Sequence, residues 1–276
     1  MKRLHIFVLL AVAVMAFPMS SAALKLKLKK DPTPMIDYGA WVASQELPES
    51  VDGVRQFYPV SVAVESDNGE TDTVAVVRGF VPVNGLSARQ VFLAAMVYAS
   101  DHFDRETAKE GFESVDYDSN SFRALLKTTQ GTNSNETTYT RSLTVSARDG
   151  GFDFEISEID CRYREKGLIP RTQRLEKLHP DNNARHAEIV LEMANVNSAY
   201  LASLAEYAAS RADIRSPNFD KLKKGGDVCT GMTEDEVTIL LGPPVNKRRS
   251  GERYRWIYAN DYVIIFTDGI VTKIVE

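Results

Sequence analysis

Side chains that ligate, attack or transfer protons are sparse here: the chain has four histidines and two cysteines in 276 residues. His179 and His186 stand seven apart across Pro180, with Asp181 between them. Zinc ligands are usually spaced more tightly, as two His four apart on one helix face, so this spacing predicts no metal site. His102 closes an apolar helical stripe and reads as a packed, hydrogen-bonded core residue. The carboxylate pairs Asp153/Glu155 and Glu158/Asp160 alternate along a strand, which places them on a solvated face. There is no G-x-S-x-G elbow, no Gly-rich phosphate loop before a helix, and no Cys beside an obvious base. The expectation is a non-enzyme with no catalytic residue, no metal and no cofactor.

Two other groups of residues have chemical potential. Cys161 and Cys229 would be able to pair in an oxidising compartment, and a bridge closing so long a loop contributes about 4 kcal/mol in the chain-entropy model. The alternative is that Cys161 is buried as a small hydrophobe while Cys229 stays free. The second group is Lys247, Arg248, Arg249, Arg253 and Arg255. Tyr254, Trp256 and Tyr258 alternate with Arg253, Arg255 and Ile257, so the aromatics take one strand face and the cations the other. If the aromatics pack on a helix through Val237, Leu240 and Leu241, the five cations form an exposed basic patch. Arg binds carboxylates bidentately and is enriched at protein interfaces. A solvated strand face beside a basic loop is the plainer reading of the same residues.

These residues need elements to hold them. Lys2 and Arg3, an apolar run over Ile6–Phe17 and Ser20-Ser21-Ala22 make residues 1–22 a secretory signal peptide. The run is too short to span a bilayer, which takes roughly 20 residues. No other stretch is apolar enough, so a periplasmic or extracellular protein without a transmembrane segment is expected. The formal net charge is −5, and losing Lys2 and Arg3 with the signal takes the mature chain to about −7. An acidic surface offers no field for phosphates, which argues against nucleic acid.

Residues 23–70 read as an extension carrying one strand, Phe57–Glu65. Thr71–Val83 reads as a strand, and Ser87 with Gln90 opens a helix to about Phe103 with a capping box. A meander follows over 111–117, 121–129, 136–148 and 151–163, with a hairpin at Asp149-Gly150-Gly151. In its last strand Phe152, Phe154 and Ile156 share one phase and Ile159, Cys161 and Tyr163 the other. A period-two pattern changes phase only with an extra residue, which predicts a β-bulge near Ser157-Glu158. A long helix spans Asn183–Arg211, with Ile189, Met193, Val196, Tyr200, Leu204 and Tyr207 inward and Glu188, Glu192, Asn195 and Ser203 in water. Residues 212–228 loosen into a linker.

The last stretch, 229–276, starts a helix with a Thr233/Glu236 capping box and stops it at Gly242-Pro243-Pro244. Strands follow at 252–258, 262–267 and 270–275, the last two joined by Asp268-Gly269, a type I′ signal. The Gly231-Met232-Thr233 start, the Leu241-Gly242-Pro243-Pro244 stop, the aromatic strand and the Asp-Gly hairpin resemble the small domain of the SmpA/OmlA (BamE-like) family. Lipoproteins of that kind carry a Cys directly after the cleavage point, and the only cysteines here are Cys161 and Cys229, so no lipid anchor is expected. The order of elements over 71–211, with the Val83-Asn84-Gly85-Leu86-Ser87 turn, resembles a TATA-binding-protein-like (TBP-like) domain of exported Bacteroidetes-type proteins. Together these imply an α+β protein of two helix-on-antiparallel-sheet domains, TBP-like and then BamE-like αβββ. The function expected is a protein-interaction or scaffolding module of the cell envelope with an envelope protein as partner. Two alternatives stand beside it. One is a small molecule or lipid held between helix and sheet by Phe92, Tyr98, Phe154 and Tyr200. The other is inhibition of a secreted enzyme, since similar tandem modules occur in β-lactamase inhibitory proteins.

Overall fold

A computed structural model describes residues 35–65, 71–103, 111–132, 136–164, 169–225, 227–259 and 262–275. The expected signal peptide lies outside them. In chain order the elements are α1 (Tyr38–Ser44), β1 (Ser50–Val51), β2 (Val54–Arg55), β3 (Val60–Glu65), β4 (Thr71–Pro82), α2 (Ala88–Asp101), β5 (Gly111–Asp116), β6 (Ser121–Gln130), β7 (Thr137–Arg148) and β8 (Gly151–Tyr163). They continue with β9 (Arg171–Arg174), α3 (Ala184–Ser210), α4 (Phe219–Lys223), α5 (Glu234–Leu241), β10 (Asn246–Ser250), β11 (Arg253–Ile257), β12 (Val263–Thr267) and β13 (Ile270–Val275).

Within the described residues the larger sheet has seven antiparallel strands, in the order β3-β4-β8-β7-β6-β5, with β9 paired to the far half of β8. The strand expected in the extension, β3, is therefore part of this sheet. β8 carries the predicted bulge. Thr140 pairs with Asp160 but Ser142 pairs with Ser157, so β8 spends one extra residue, and Glu158 takes φ 52°. That residue resets the alternation, and Phe152, Phe154, Ile156, Ile159, Cys161 and Tyr163 are all buried.

Helices cover this buried face. α2 begins at the predicted box, with Ser87 N–H donating to Gln90 Oε1 (3.1 Å) and Gln90 N–H to Ser87 Oγ (3.4 Å). Ala88 N–H donates to Asp149 Oδ1 at 2.8 Å, so the β7–β8 hairpin also caps the helix packed beside it. A single apolar stripe was expected of α2, yet all positions from Val91 to Ser100 are buried. β7, α3 and α5 enclose it, and a helix apolar all round is a buried helix. In α3 the buried face is rotated from the expected stripe: Asn197, Ser198 and Leu201 are inside, while Val196 and Tyr200 are only partly buried. Ser198 Oγ accepts from Phe57 N–H (3.0 Å), and Glu192, expected in water, accepts from buried Tyr139 at 2.5 Å. These polar tertiary contacts leave no trace in apolar periodicity.

The smaller sheet runs β10-β11-β12-β13, with α5 on one face. Among the described residues it has four strands where three were expected: Asn246–Ser250, read as part of a basic loop, is itself a strand paired with β11. α5 ends at Gly242 with φ 65°, and Asp268 and Gly269 take φ 53° and 74°, as a type I′ turn requires. Trp256, Ile264, Phe266, Val271, Met232 and Val237 form a second core. Ile239, two residues along α5 from Val237 and so on the opposite side of the helix, belongs instead to the larger core.

Polar ties join the two cores. The carboxylate of Glu236 is fully buried and accepts from Thr233 N–H (2.8 Å), Asn218 N–H (2.7 Å), Asn218 Nδ2 (3.0 Å) and Ser216 Oγ (2.6 Å). Arg211 at the end of α3 pairs with Asp235 at 2.6 Å. Gln90 Nε2 donates to Ala212 O (2.7 Å), and the Arg89 guanidinium lies 3.5 Å from the Phe219 ring centroid. Residues 212–228 thus bond to both sides, and residues from Ile36 onward form one unit. Among the described residues no helix is long and apolar enough to cross a membrane.

Candidate interaction surface

β10 and β11 position the basic residues, and their register separates them. Arg248 lies opposite Arg255, while Lys247 lies opposite Trp256 and Arg249 opposite Tyr254. Opposed residues share a face, so the five cations do not form the single patch expected. Lys247 and Arg249 sit on the helix side, with Lys247 Nζ 4.2 Å from the Trp256 ring centroid and the Arg249 guanidinium 5.0 Å from that of Tyr254. The physical reason is the unforeseen strand at 246–250: alternation sends its odd-numbered side chains to the aromatic side. Burial raises the Glu234 carboxyl above its ordinary range, and the nearby Lys247 charge works in the opposite direction.

Arg248, Arg253 and Arg255 remain on the outer face, all exposed, and Lys273 of β13 shares that face across the intervening β12. Half-buried Ile257, Val263 and Ile265 share that face. A concavity of about 350 Å³ is lined by Arg248, Arg253, Arg255 and Ile265 of this face together with Arg249 and Tyr254 of the other. Among the described residues, no carboxylate occupies a position on this face. Its chemistry is that of a cationic, aliphatic sheet surface able to take carboxylates by paired N–H donors.

The other expected sites are distributed differently. Cys161 and Cys229 are both free thiols, so the Cys161–Cys229 bridge is not formed. Cys161 is buried in the larger core, while Cys229 is half-buried against the smaller one with its sulfur 3.3 Å from Lys221 Nζ. His179 and His186 do meet, but through the backbone: His179 N–H donates to His186 Nδ1 at 3.0 Å. The opposite nitrogen, Nε2, lies 2.8 Å from the Tyr163 hydroxyl, which itself bonds to Gln173 Oε1. This chain fixes the start of α3 to β8 and β9. His102 is hydrogen-bonded as expected, with Nδ1 2.7 Å from Tyr98 O, and its ring stacks on that of Tyr98 with centroids 3.9 Å apart. It is exposed at the end of α2, however, and not in the core. Asp153 pairs with Arg148, Glu158 with Arg123, and Asp160 with Arg174, all at the solvated sheet face. Among the described residues, no three His, Cys, Asp or Glu side chains gather as a metal ligand set. Phe92 packs on Tyr117 and Phe122, Phe154 on Phe57, and Tyr98 on Tyr200 and Tyr207.

The feature that sequence reasoning missed is the reach of Glu236. The capping box was visible, but the box alone does not reveal that the same carboxylate also holds Ser216 and Asn218.

No family model matches the chain, and no curated protein does. Among solved structures it is similar to a TBP-like protein from Parabacteroides distasonis at 15% identity and a TM-score of 0.40, over 50% of this chain and 93% of that one. It is also similar to a DUF4468 family protein from Bacteroides ovatus at 13% identity and a TM-score of 0.38, over 54% of this chain and 92% of that one.

Proposed function

We propose that the protein is an exported, non-enzymatic interaction module of the cell envelope, and that the outer face of the β10–β13 sheet is its contact surface. The observation that carries this reading is the set of exposed guanidinium groups Arg248, Arg253 and Arg255 beside half-buried isoleucines, with no carboxylate among the described positions of the face. An otherwise acidic chain holds these cations against the like-charge repulsion of Arg248 facing Arg255. Export rests on the signal-like residues 1–22. The capping box, the Gly242-Pro243-Pro244 stop and the Asp268-Gly269 hairpin support an SmpA/OmlA-like assignment of 229–276, to which β10 adds a strand.

The test is affinity capture from solubilised envelope, comparing the native protein with the Arg253→Glu/Arg255→Glu variant after mild cross-linking. The variant is expected to lose at least tenfold of the captured partner while keeping the near-ultraviolet dichroism of Trp256. Undiminished capture by a folded variant would sink the proposal.

A further inference from the structure

We infer that the partner presents an acidic amphipathic helix to the outer face of the β10–β13 sheet; the inference rests on reading that face as the contact surface. Register arranges the face in two rows that cross all four strands. One row is Arg248, Arg255, Ile265 and Lys273; the next is Asn246, Ile257, Val263 and Val275. Neighbouring strands lie about 4.8 Å apart, so each row runs about 14 Å, and the rows are separated by two residues of strand, about 6.8 Å. One row is therefore mostly cationic and the other mostly aliphatic, side by side on one plane.

This striping selects the shape of what covers it. An extended segment sends successive side chains to opposite sides, so it cannot lay an acidic row and an aliphatic row on the same plane together. A helix can, because acidic positions flank an aliphatic stripe recurring at three- and four-residue intervals. At 1.5 Å per residue, about ten residues of helix span the 14 Å row. The aliphatic stripe would rest on Ile257, Val263, Ile265 and Val275, and the flanking carboxylates would reach Arg248, Arg255 and Lys273. A carboxylate set between Arg248 and Arg255 also relieves the repulsion of two guanidinium groups placed directly opposite. The sheet's inner face is already covered in this way by α5 of the chain itself.

The experiment uses the full-length protein and three dye-labelled synthetic helical peptides that share one leucine stripe. Their flanks carry glutamate, glutamine or lysine, and binding is read by fluorescence anisotropy. The glutamate peptide is expected to bind at least tenfold more tightly than the glutamine peptide, with the lysine peptide not binding and the affinity falling as salt rises. Arg248→Glu/Arg255→Glu is expected to abolish the preference, and Val263→Ser to weaken all binding several-fold, with dichroism confirming that each variant is folded. Equal binding of the glutamate and glutamine peptides, or binding of none of the three, overturns the inference. So does binding to phosphatidylglycerol vesicles in place of the glutamate peptide. If the peptides fail while envelope capture still depends on Arg253 and Arg255, the contact surface stands and only its helical occupant is wrong.

Discussion

Cys161 pairs with Tyr139 on one neighbouring strand and with Gln173 on the other, deep beneath the helices. Burial, then the nearby charge of Asp160, raises its thiol from near 9 to about 12. Because the folded value is raised, the native state favours the neutral thiol. The contribution is present in full below about pH 9 and is lost as pH climbs toward 12. Cys229 differs, being half-buried at the surface beside Lys221. Titration of the native protein at pH 8 with a disulfide reagent is therefore expected to find one fast thiol, and titration after denaturation without reductant two. Equal numbers before and after, or none in either, would contradict the arrangement. Only the count was legible in the sequence, since pairing depends on which core each sulfur enters.

At the scale of elements, the boundaries that the sequence could place are those with a local cause. The expected box at Ser87 and the helix from Asn183 appear as α2 and α3, because a cap is chemistry among residues three apart. The phase change in β8 is likewise local, and Glu158 sits where it required. Deleting Glu158 is expected to send either Phe152–Ile156 or Ile159–Tyr163 to the solvated face and abolish cooperative unfolding. Glu158→Gly keeps the extra residue in a backbone region that glycine enters easily, so it should still fold. Thermal melts followed by dichroism separate the two, and a cooperative melt from the deletion would refute the bulge as a register device. β10 was illegible for the complementary reason. Asn246-Lys247-Arg248-Arg249-Ser250 has no apolar alternation, and it becomes a strand only because β11 offers an open edge. With β10 invisible, the division of the basic cluster between two faces was invisible too.

At the scale of the molecule, the question is whether two cores melt as one. The chain has two tryptophans, and they report separately: Trp41 lies in the larger core and Trp256 in the smaller. Ile239 reaches from α5 into the larger core, Arg211 ties the end of α3 to Asp235, and Glu236 ties Ser216 and Asn218 to the start of α5. A buried carboxylate with four donors is costly to disturb: loss of hydrogen bonds to a charged group is worth about 1.5–3 kcal/mol each at most, and the donors left behind add to the penalty. Coupling of that size should hold the two cores to one transition. Single-tryptophan proteins, Trp41→Phe and Trp256→Phe, are accordingly expected to show the same urea midpoint by fluorescence. Adding Arg211→Ala and Glu236→Ala to each should separate the midpoints, with the Trp256 signal lost first, because the smaller core has fewer buried side chains to sustain it alone. Coincident midpoints in the four-residue comparison would mean that the apolar contact through Ile239 is sufficient, and the polar ties would then be ornaments of the fold and not its couplers.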